Sequence, residues 1–181
     1  MTKRMRPFAA AAVMGWTALG LAGPAAAHVV FDQETAPAGQ LAKAGLRIMH
    51  GCNGKPTTRV TIDLPPGMMR LTPRMVPGWT VSVVTRPLEK PVMLHGFEVK
   101  VGPARIIWEG GSLPDGTYEV FEFRAMMPDQ PGATLVFPTR QDCPGGGVES
   151  WTQVAAPGED PLKLDTPAPT IKLIKAMPAA H

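Results

Sequence analysis

The 181-residue chain is predicted to form an all-β, immunoglobulin-like antiparallel β-sandwich after a short N-terminal targeting segment. Three observations lead to this fold class. Short runs rich in β-branched and aromatic residues recur along the sequence, and turn signals containing proline and glycine separate them. The chain also contains 21 prolines, which lack the backbone N–H that a helix interior requires. Many short strands at this spacing favour a sandwich or a barrel over a helical domain.

The predicted strands follow one another from the first third of the chain to its last quarter. They are residues 60–64, 80–84, 105–108, 118–125, 134–137 and 151–154. The fourth run is the clearest, because Phe121, Phe123 and Ala125 alternate with Glu122 and Arg124. A period of two gives a strand one buried and one wet face, as in an antiparallel sheet that is packed on one side.

The sequence changes character after residue 154. Residues 155–170 are rich in proline and acidic side chains, and residues 171–175 then form one more alternating stretch that contains two lysines. We predict a final edge strand here, because lysines on an edge strand discourage pairing with other chains. The predicted organisation is a targeting segment at 1–27, one sandwich domain at 28–156 and a proline-rich tail at 157–181.

The first 27 residues have the three parts of a secretory signal peptide. Lys3, Arg4 and Arg6 give a positively charged start, residues 8–21 are apolar, and Ala25 and Ala27 provide the small residues of a cleavage site. Cleavage after Ala27 would deliver the mature protein to the periplasm or the medium.

Charge and hydropathy exclude two classes of partner. The net charge is +3, but three basic residues and no acidic ones lie in the signal segment, so the mature chain carries 15 of each. A balanced chain lacks the basic surface that nucleic-acid binding requires. No apolar run beyond the signal is long enough to span a bilayer, so we expect no transmembrane segment in the mature chain.

Two cysteines, Cys52 and Cys143, lie in the mature chain. In an oxidising compartment an even number without a CxxC motif indicates a disulfide first. The alternative is a thiolate copper site, since His50 lies two residues before Cys52. Such a Cu(I) site would need both thiols reduced, which export does not provide, so the disulfide is favoured.

Cleavage after Ala27 would make His28 the first residue of the mature protein. Its α-amine and its imidazole could then hold one metal ion together, and nitrogen donors in a tetragonal plane suit Cu(II). The alternative is that His28 only marks the position of the cut, since other residues can follow a signal peptide.

Short motifs occur in a fixed order across the mature domain. They are His28, Ala36-Pro37-Ala38-Gly39, His50-Gly51-Cys52, Pro56-Thr57-Thr58, Pro77-Gly78-Trp79, Leu94-His95-Gly96, Trp108-x-Gly110-Gly111-x-Leu113-Pro114, Tyr118-x-x-Phe121-x-Phe123, Phe137-Pro138, Gln141-x-Cys143 and Trp151. With this set, residues 28–154 resemble the YcnI-like domain family of exported bacterial copper-binding proteins. The resemblance implies a β-sandwich that binds Cu(II) through one N-terminal histidine, with a carboxylate and a tryptophan near the ion.

Carried over to this sequence, the resemblance implies roles for three residues. His28 supplies the amine and imidazole nitrogens, and Trp151 is the tryptophan. Glu149 is the first choice for the carboxylate, because it lies two residues from Trp151 and residues at that spacing in a strand share a face. Glu34 and Asp142 are the reserves. Without the resemblance, Trp151 would be interpreted equally well as a core residue, and Glu149 as a solvated turn residue.

The other soft or nitrogen donors receive structural interpretations. His50 could approach the metal or hydrogen-bond in the turn that Cys52 anchors, and the second is favoured because the family motif places it with the disulfide. His95 is expected to lie in a loop or hairpin, and His181 to end a frayed tail where it could bind a metal weakly. The eight methionines of the mature chain are expected to fill the core for the most part. They do not form the dense array that a Cu(I) site made of thioethers would need.

The favoured function is an exported Cu(II)-binding protein, not an enzyme, that buffers copper or delivers it to another copper-handling envelope protein. One alternative is a metal-free structural or interaction sandwich of the envelope. The other is a copper monooxygenase, which is disfavoured because oxidative braces use a second histidine and the sequence identifies none near the site. The single tyrosine also offers little flat aromatic surface for a polysaccharide.

Overall fold

The computed structural model describes residues 28–94, 96–156 and 158–176. The predicted signal peptide, His95 and His181 lie outside these residues. The described part is β throughout, with two short 3-10 turns at Pro144–Gly146 and Pro161–Lys163. Its strands in chain order are β1 (Val30–Phe31), β2 (Thr35–Pro37), β3 (Leu41–Ile48), β4 (Thr57–Asp63), β5 (Met69–Pro73), β6 (Thr80–Leu94), β7 (Phe97–Leu113), β8 (Glu119–Met126), β9 (Thr134–Val136), β10 (Thr139–Cys143), β11 (Gly147–Trp151) and β12 (Thr170–Ile174).

The strands form three sheets. The first has the order β1-β3-β8-β5, the second β11-β10-β4-β7-β6, and the third β2-β12-β9. All pairings are antiparallel except β2 with β12, which is parallel. The prediction of an all-β, antiparallel sandwich is therefore confirmed.

Aromatic side chains from both large sheets meet in the core. Phe121 of β8 packs edge-on against Trp79 and Trp108, with ring centroids 5.1 and 5.4 Å away. The buried Trp108 donates its indole N–H to the carbonyl oxygen of Arg74 at 3.0 Å, which satisfies the one polar group it brings into the core. Phe123 and Ala125 are also buried, while Arg124 is exposed, so the predicted alternation along β8 is confirmed.

The sixth predicted strand is misplaced. Residues 147–151 form β11, and of the predicted run 151–154 only Trp151 belongs to a strand. The glycines that signalled a turn are the connection of a tight β10–β11 hairpin, in which Cys143 already faces Gly147. The strand therefore starts at the last of these glycines, earlier than the β-branched and aromatic residues suggested.

The predicted last strand exists, but it is not an edge strand. β12 pairs with β9 on one side and with β2 on the other, so the edge interpretation is wrong. Ile171 and Leu173 are buried and Lys172 is exposed. The lysine thus marks the solvent face of a middle strand. Pairing with β2 and β9 also ties the predicted tail to the rest of the sandwich.

Cys52 and Cys143 form a disulfide, as predicted, with their sulfurs 2.06 Å apart and a sequence separation of 91. It joins the turn after β3 to the end of β10. Both sulfurs are used in this bond, so the thiolate copper site considered for Cys52 does not form.

Candidate functional site

His28 lies two residues before β1, which is an edge strand of the first sheet. Val29, the next residue, and Phe31 in the strand are both buried and anchor this edge to the core. His28 itself is half-buried and lines a surface groove. Solvent can therefore reach the His28 side chain, while the buried residues beside it fix its backbone.

Glu34 lines the same groove as His28, together with Lys172 of β12. The Glu34 side chain is exposed. The backbone carbonyl oxygen of Glu34 accepts a hydrogen bond from the backbone N–H of Lys172 at 2.9 Å. This bond extends the pairing of β2 with β12 and fixes the position of Glu34. Of the three carboxylates considered from the sequence, Glu34 is the one that shares a groove with His28.

Residues 167–169 connect this groove to the edge of the second sheet. Pro167 and Ala168 line the groove with His28. The backbone N–H of Ala168 also donates to the carbonyl oxygen of Gln153 at 2.8 Å, two residues beyond Trp151. The start of β1 and the end of β11 therefore lie on either side of one short segment, at the same corner of the sandwich.

Trp151 is buried at this corner, and a polar network holds it. Its indole N–H donates to Oε1 of Gln141 at 3.0 Å, and Gln141 donates from Nε2 to the His50 carbonyl oxygen at 2.8 Å and to Oγ1 of Thr57 at 2.9 Å. Gln141 is completely buried, so these contacts satisfy its amide. The Trp151 nitrogen is thus engaged within the protein, and the tryptophan can contribute only its ring to a neighbouring site.

His50 packs against Trp151, which the sequence did not reveal. The two rings meet edge to face, with centroids 5.4 Å apart and planes at 69°. Its Nδ1 lies 3.0 Å from the carbonyl oxygen of Gly51. Because a carbonyl oxygen only accepts, Nδ1 is the protonated nitrogen. The expectation that His50 hydrogen-bonds in the turn before Cys52 is confirmed, but its ring also faces the candidate site.

The turn that carries His50 is rigid. Cys52 and Lys55 exchange two backbone hydrogen bonds of 3.0 and 3.1 Å, and the Gly51 N–H donates to Oδ1 of Asp115 at 2.8 Å. A β-carbon at Gly51 would overlap the carbonyl oxygen of Lys55, so glycine is required there. With the disulfide at the next residue, these contacts fix where the His50 ring can lie.

Glu149 and Asp142 lie on opposite faces of the β10–β11 hairpin. Glu149 is directly opposite Gln141, and Trp151 is opposite Thr139. Because Gln141, Thr139 and Trp151 are all buried, Glu149 shares their face, as predicted, and it is half-buried.

Asp142 is placed on the other face of the hairpin. Its Oδ1 accepts from Nη2 of Arg140 at 2.7 Å. This contact orients the carboxylate away from Trp151.

Ion pairs occupy the outer face of the second sheet. Nε of Arg105 donates to Oδ1 of Asp63 at 2.5 Å. This hydrogen bond, and then the negative charge of Asp63, raise the pKa of the Arg105 guanidinium above its ordinary value. Arg59 pairs with Glu109 at 3.0 Å on the same face. These side chains are nearly half exposed, so solvent screens the pairs and they stabilise the fold only weakly.

Within residues 28–94, 96–156 and 158–176, no three or more His, Cys, Asp or Glu side chains converge closely enough to hold a metal ion.

Residues 28–173 match the model of a protein family described as a domain of unknown function, DUF1775. The chain belongs to this family. DUF1775 is the domain of the YcnI-like proteins that the sequence resembles, so the resemblance is confirmed at the level of the family. No curated protein matches the chain in sequence.

A solved structure agrees with the fold of this DUF1775 domain. An uncharacterized protein from Nocardia farcinica with an immunoglobulin-like fold matches with a TM-score of 0.60 and 24% identity, covering 81% of this chain and 98% of that chain. The immunoglobulin-like fold class is thereby confirmed. The third cohesin of ScaC from Acetivibrio cellulolyticus matches with a TM-score of 0.38 and 10% identity, covering 81% of this chain and 98% of the cohesin. That likeness is too low to support a comparison of function.

The described residues contain no helix that is both long and apolar enough to cross a bilayer.

Proposed function

We propose that this DUF1775 protein is exported, binds one Cu(II) ion at His28, and buffers copper or delivers it to another copper-handling protein of the envelope. The observation that carries the proposal is the position of His28. It lies two residues before an anchored edge strand and lines a groove that also contains a carboxylate. After cleavage behind Ala27, the same residue would offer two nitrogens to one ion.

The donor chemistry at this corner suits Cu(II). An amine and an imidazole are the nitrogen donors that a tetragonal Cu(II) ion prefers, and Cu(II) binds such sites more tightly than the other divalent first-row metals do. A carboxylate adds a negative charge that balances the ion. Glu34 is our choice for this role, because it shares the groove with His28, and Glu149 beside Trp151 is the comparison residue.

An open site fits binding and transfer of copper. His28 is half-buried and Glu34 is exposed, so both an ion and a partner protein can reach them. Buried metal sites enclose their ion, whereas a carrier must release its ion to the next protein. The proposal therefore assigns the groove to copper binding and exchange, and it assigns no reaction to the protein.

We expect His28→Ala to weaken Cu(II) binding by more than about 100-fold. Removing a residue that only hydrogen-bonds to a metal ligand already lowers metal affinity by roughly 10- to 100-fold, and removing the ligand itself lowers it further. The measurement is a competitive Cu(II) titration of the exported, processed chain, with mass spectrometry to establish that it begins at residue 28. His95→Ala removes a histidine that is not assigned to the site and is the matched control. Equal affinity in the two variants would place the site away from His28.

The same titration distinguishes the two carboxylates. Glu34→Gln and Glu149→Gln each remove one charge and keep the size of the side chain. We expect Glu34→Gln to weaken Cu(II) binding by about 10-fold and Glu149→Gln to have little effect. A loss with Glu149→Gln alone would instead assign the carboxylate to the face of Trp151.

A metal-free interaction role is the second candidate, and the long β6–β7 hairpin favours it. Near its tip Phe97 is 75% exposed, and Val92 and Val101, on the same face of the hairpin, are 39% and 54% exposed. Apolar side chains grouped in this way on a surface are typical of contact sites. Under this alternative, the protein acts through the hairpin and needs no copper.

A further inference from the structure

We propose that two copies of this chain form a dimer through the outer part of β7, where residues 97–101 of one copy pair antiparallel with residues 97–101 of the other. The two-fold axis passes beside Val99. This inference goes beyond the copper site and does not depend on it. It gives the exposed β6–β7 hairpin a partner, which is a second copy of the chain.

The outer part of the β6–β7 hairpin is a two-stranded ribbon. β7 pairs with β6 from Phe97 to Glu109, but it pairs with β4 only from Arg105 onward. Within the ranges that the structure describes, β6 is therefore the only strand that pairs with residues 97–103. A ribbon of two strands is only marginally stable in water, whereas three or more strands make a stable sheet. Joining two ribbons through β7 gives a four-stranded sheet with the order β6-β7-β7-β6.

The two edges of this ribbon differ in their capacity to accept another strand. The β6 edge contains Pro87 and Pro91, which have no backbone N–H to donate to a neighbouring strand. Proline on an edge strand is one of the ways in which proteins prevent pairing with another chain. Residues 97–101 of β7 contain no proline, so their outward N–H and C=O groups can continue the ladder. The open edge for pairing is therefore that of β7.

The charges on this edge complement a second copy in one orientation. Glu98 and Lys100 form an exposed ion pair with 3.0 Å between Oε2 and Nζ. Antiparallel pairing about Val99 places Glu98 opposite Lys100 of the second copy, and the same contact occurs twice by symmetry. Lysine alone on an edge opposes pairing, but opposite charges directly across a ladder stabilise it. Parallel pairing in register would instead place like charges opposite each other, which is destabilising.

The apolar side chains of the segment complement the second copy in the same register. Phe97, Val99 and Val101 alternate with the two charged residues, so they share the other face of the ribbon. Pairing about Val99 places Phe97 opposite Val101 of the second copy and the two Val99 side chains opposite each other. Aromatic and β-branched side chains that face each other across a ladder stabilise a sheet. Both faces of the segment are therefore self-complementary about the same residue.

Sedimentation velocity over a range of protein concentrations tests this dimer, with the processed, copper-free chain. The contact is short, so we expect a dimer whose fraction increases with concentration. Glu98→Lys and Lys100→Glu each turn two attractive pairs into repulsive ones, and each is expected to weaken dimerisation by about 10-fold or more. An equimolar mixture of the two variants, and the double variant that carries both changes, restore opposite charges and should dimerise like the wild type.

Glu89→Lys and Lys90→Glu are the matched controls. They make the same two charge changes at exposed positions of β6, which does not face the second copy in the proposed dimer. We expect both controls to dimerise like the wild type. Thermal unfolding of every variant checks that the fold is retained.

A cysteine at the proposed axis gives a second readout that does not depend on charge. Val99→Cys brings two thiols together across the axis, and oxidation with diamide should link the two copies through a disulfide. Val92→Cys is the control, because Val92 is opposite Val99 on β6 and lies one strand away from the axis. We expect this variant to remain largely unlinked under the same conditions.

The outcomes are independent of copper binding at His28. A wild type that remains monomeric at every concentration overturns the dimer, even if the hairpin binds a different protein. A dimer whose affinity is the same in all charge variants, or one that Val92→Cys links as well as Val99→Cys does, overturns the pairing through β7. Neither result changes the Cu(II) affinity expected for the wild type or for His28→Ala.

Discussion

Replacing both Cys52 and Cys143 with alanine is expected to lower the free energy of unfolding by about 4 to 5 kcal/mol. The disulfide closes a loop of 91 residues in the unfolded chain, and the chain entropy lost on closing a loop increases with its length. For a domain of this size, such a loss lowers the melting temperature by roughly 10 to 20 °C. Chemical denaturation of the variant and of the wild type measures the difference.

The double alanine variant should keep most of its copper affinity, since neither sulfur is assigned as a ligand. Reduced wild-type protein is the matched control, because it lacks the bond but keeps both side chains. A loss below about 1 kcal/mol in both samples would contradict the loop-entropy argument. A large loss of copper with unchanged stability would instead make the cysteines ligands.

Gln141→Ala is expected to destabilise the domain by about 3 to 5 kcal/mol, because it removes three hydrogen bonds and leaves a cavity. The buried Trp151 N–H would have no acceptor, and the Thr57 hydroxyl would lose its donor. The His50 carbonyl oxygen would lose its 2.8 Å donor and keep the longer contact with Thr57 Oγ1 at 3.4 Å. Denaturant titration measures the loss.

Gln153→Ala is the matched control for this change, because it removes the same atoms from an exposed glutamine. The Oε1 of Gln153 accepts one hydrogen bond, from the Thr166 N–H at 2.8 Å. We expect this variant to lose less than about 1 kcal/mol. Equal losses in the two variants would show that the network around Trp151 contributes nothing beyond an ordinary surface contact.

The local features of the fold could be predicted from the sequence. The alternation around Phe121 and Phe123 reports burial directly, since every second side chain of a strand points to the same face of the sheet. The position of β12 could not be predicted in this way. Whether a strand is at an edge depends on which distant strands flank it. A lysine such as Lys172 gives the same sequence pattern in an edge strand as on the solvent face of a middle strand. The short β1 and β2 carry too few residues to show a period.

The site was accessible to sequence reasoning only in part. The shared face of Glu149 and Trp151 follows from their spacing alone. The contact between His50 and Trp151 depends on how β10 pairs with both β4 and β11, and no local pattern encodes that arrangement. The His50-Gly51-Cys52 motif together with Cys143 was the available signal, because a disulfide brings the His50 turn to the end of β10.

The central claim is that the α-amine of His28 binds Cu(II), and one comparison tests it most directly. Paramagnetic resonance spectra and affinities are measured for the processed chain and for a version with a Ser-Gly-Ser-Gly extension before His28, each with one equivalent of Cu(II). The extension keeps every side chain and moves only the amine. We expect a nitrogen-rich tetragonal signal in the processed chain, and in the extended chain a changed signal with affinity lower by more than about 100-fold. Identical spectra and affinities in the two versions would contradict the N-terminal site.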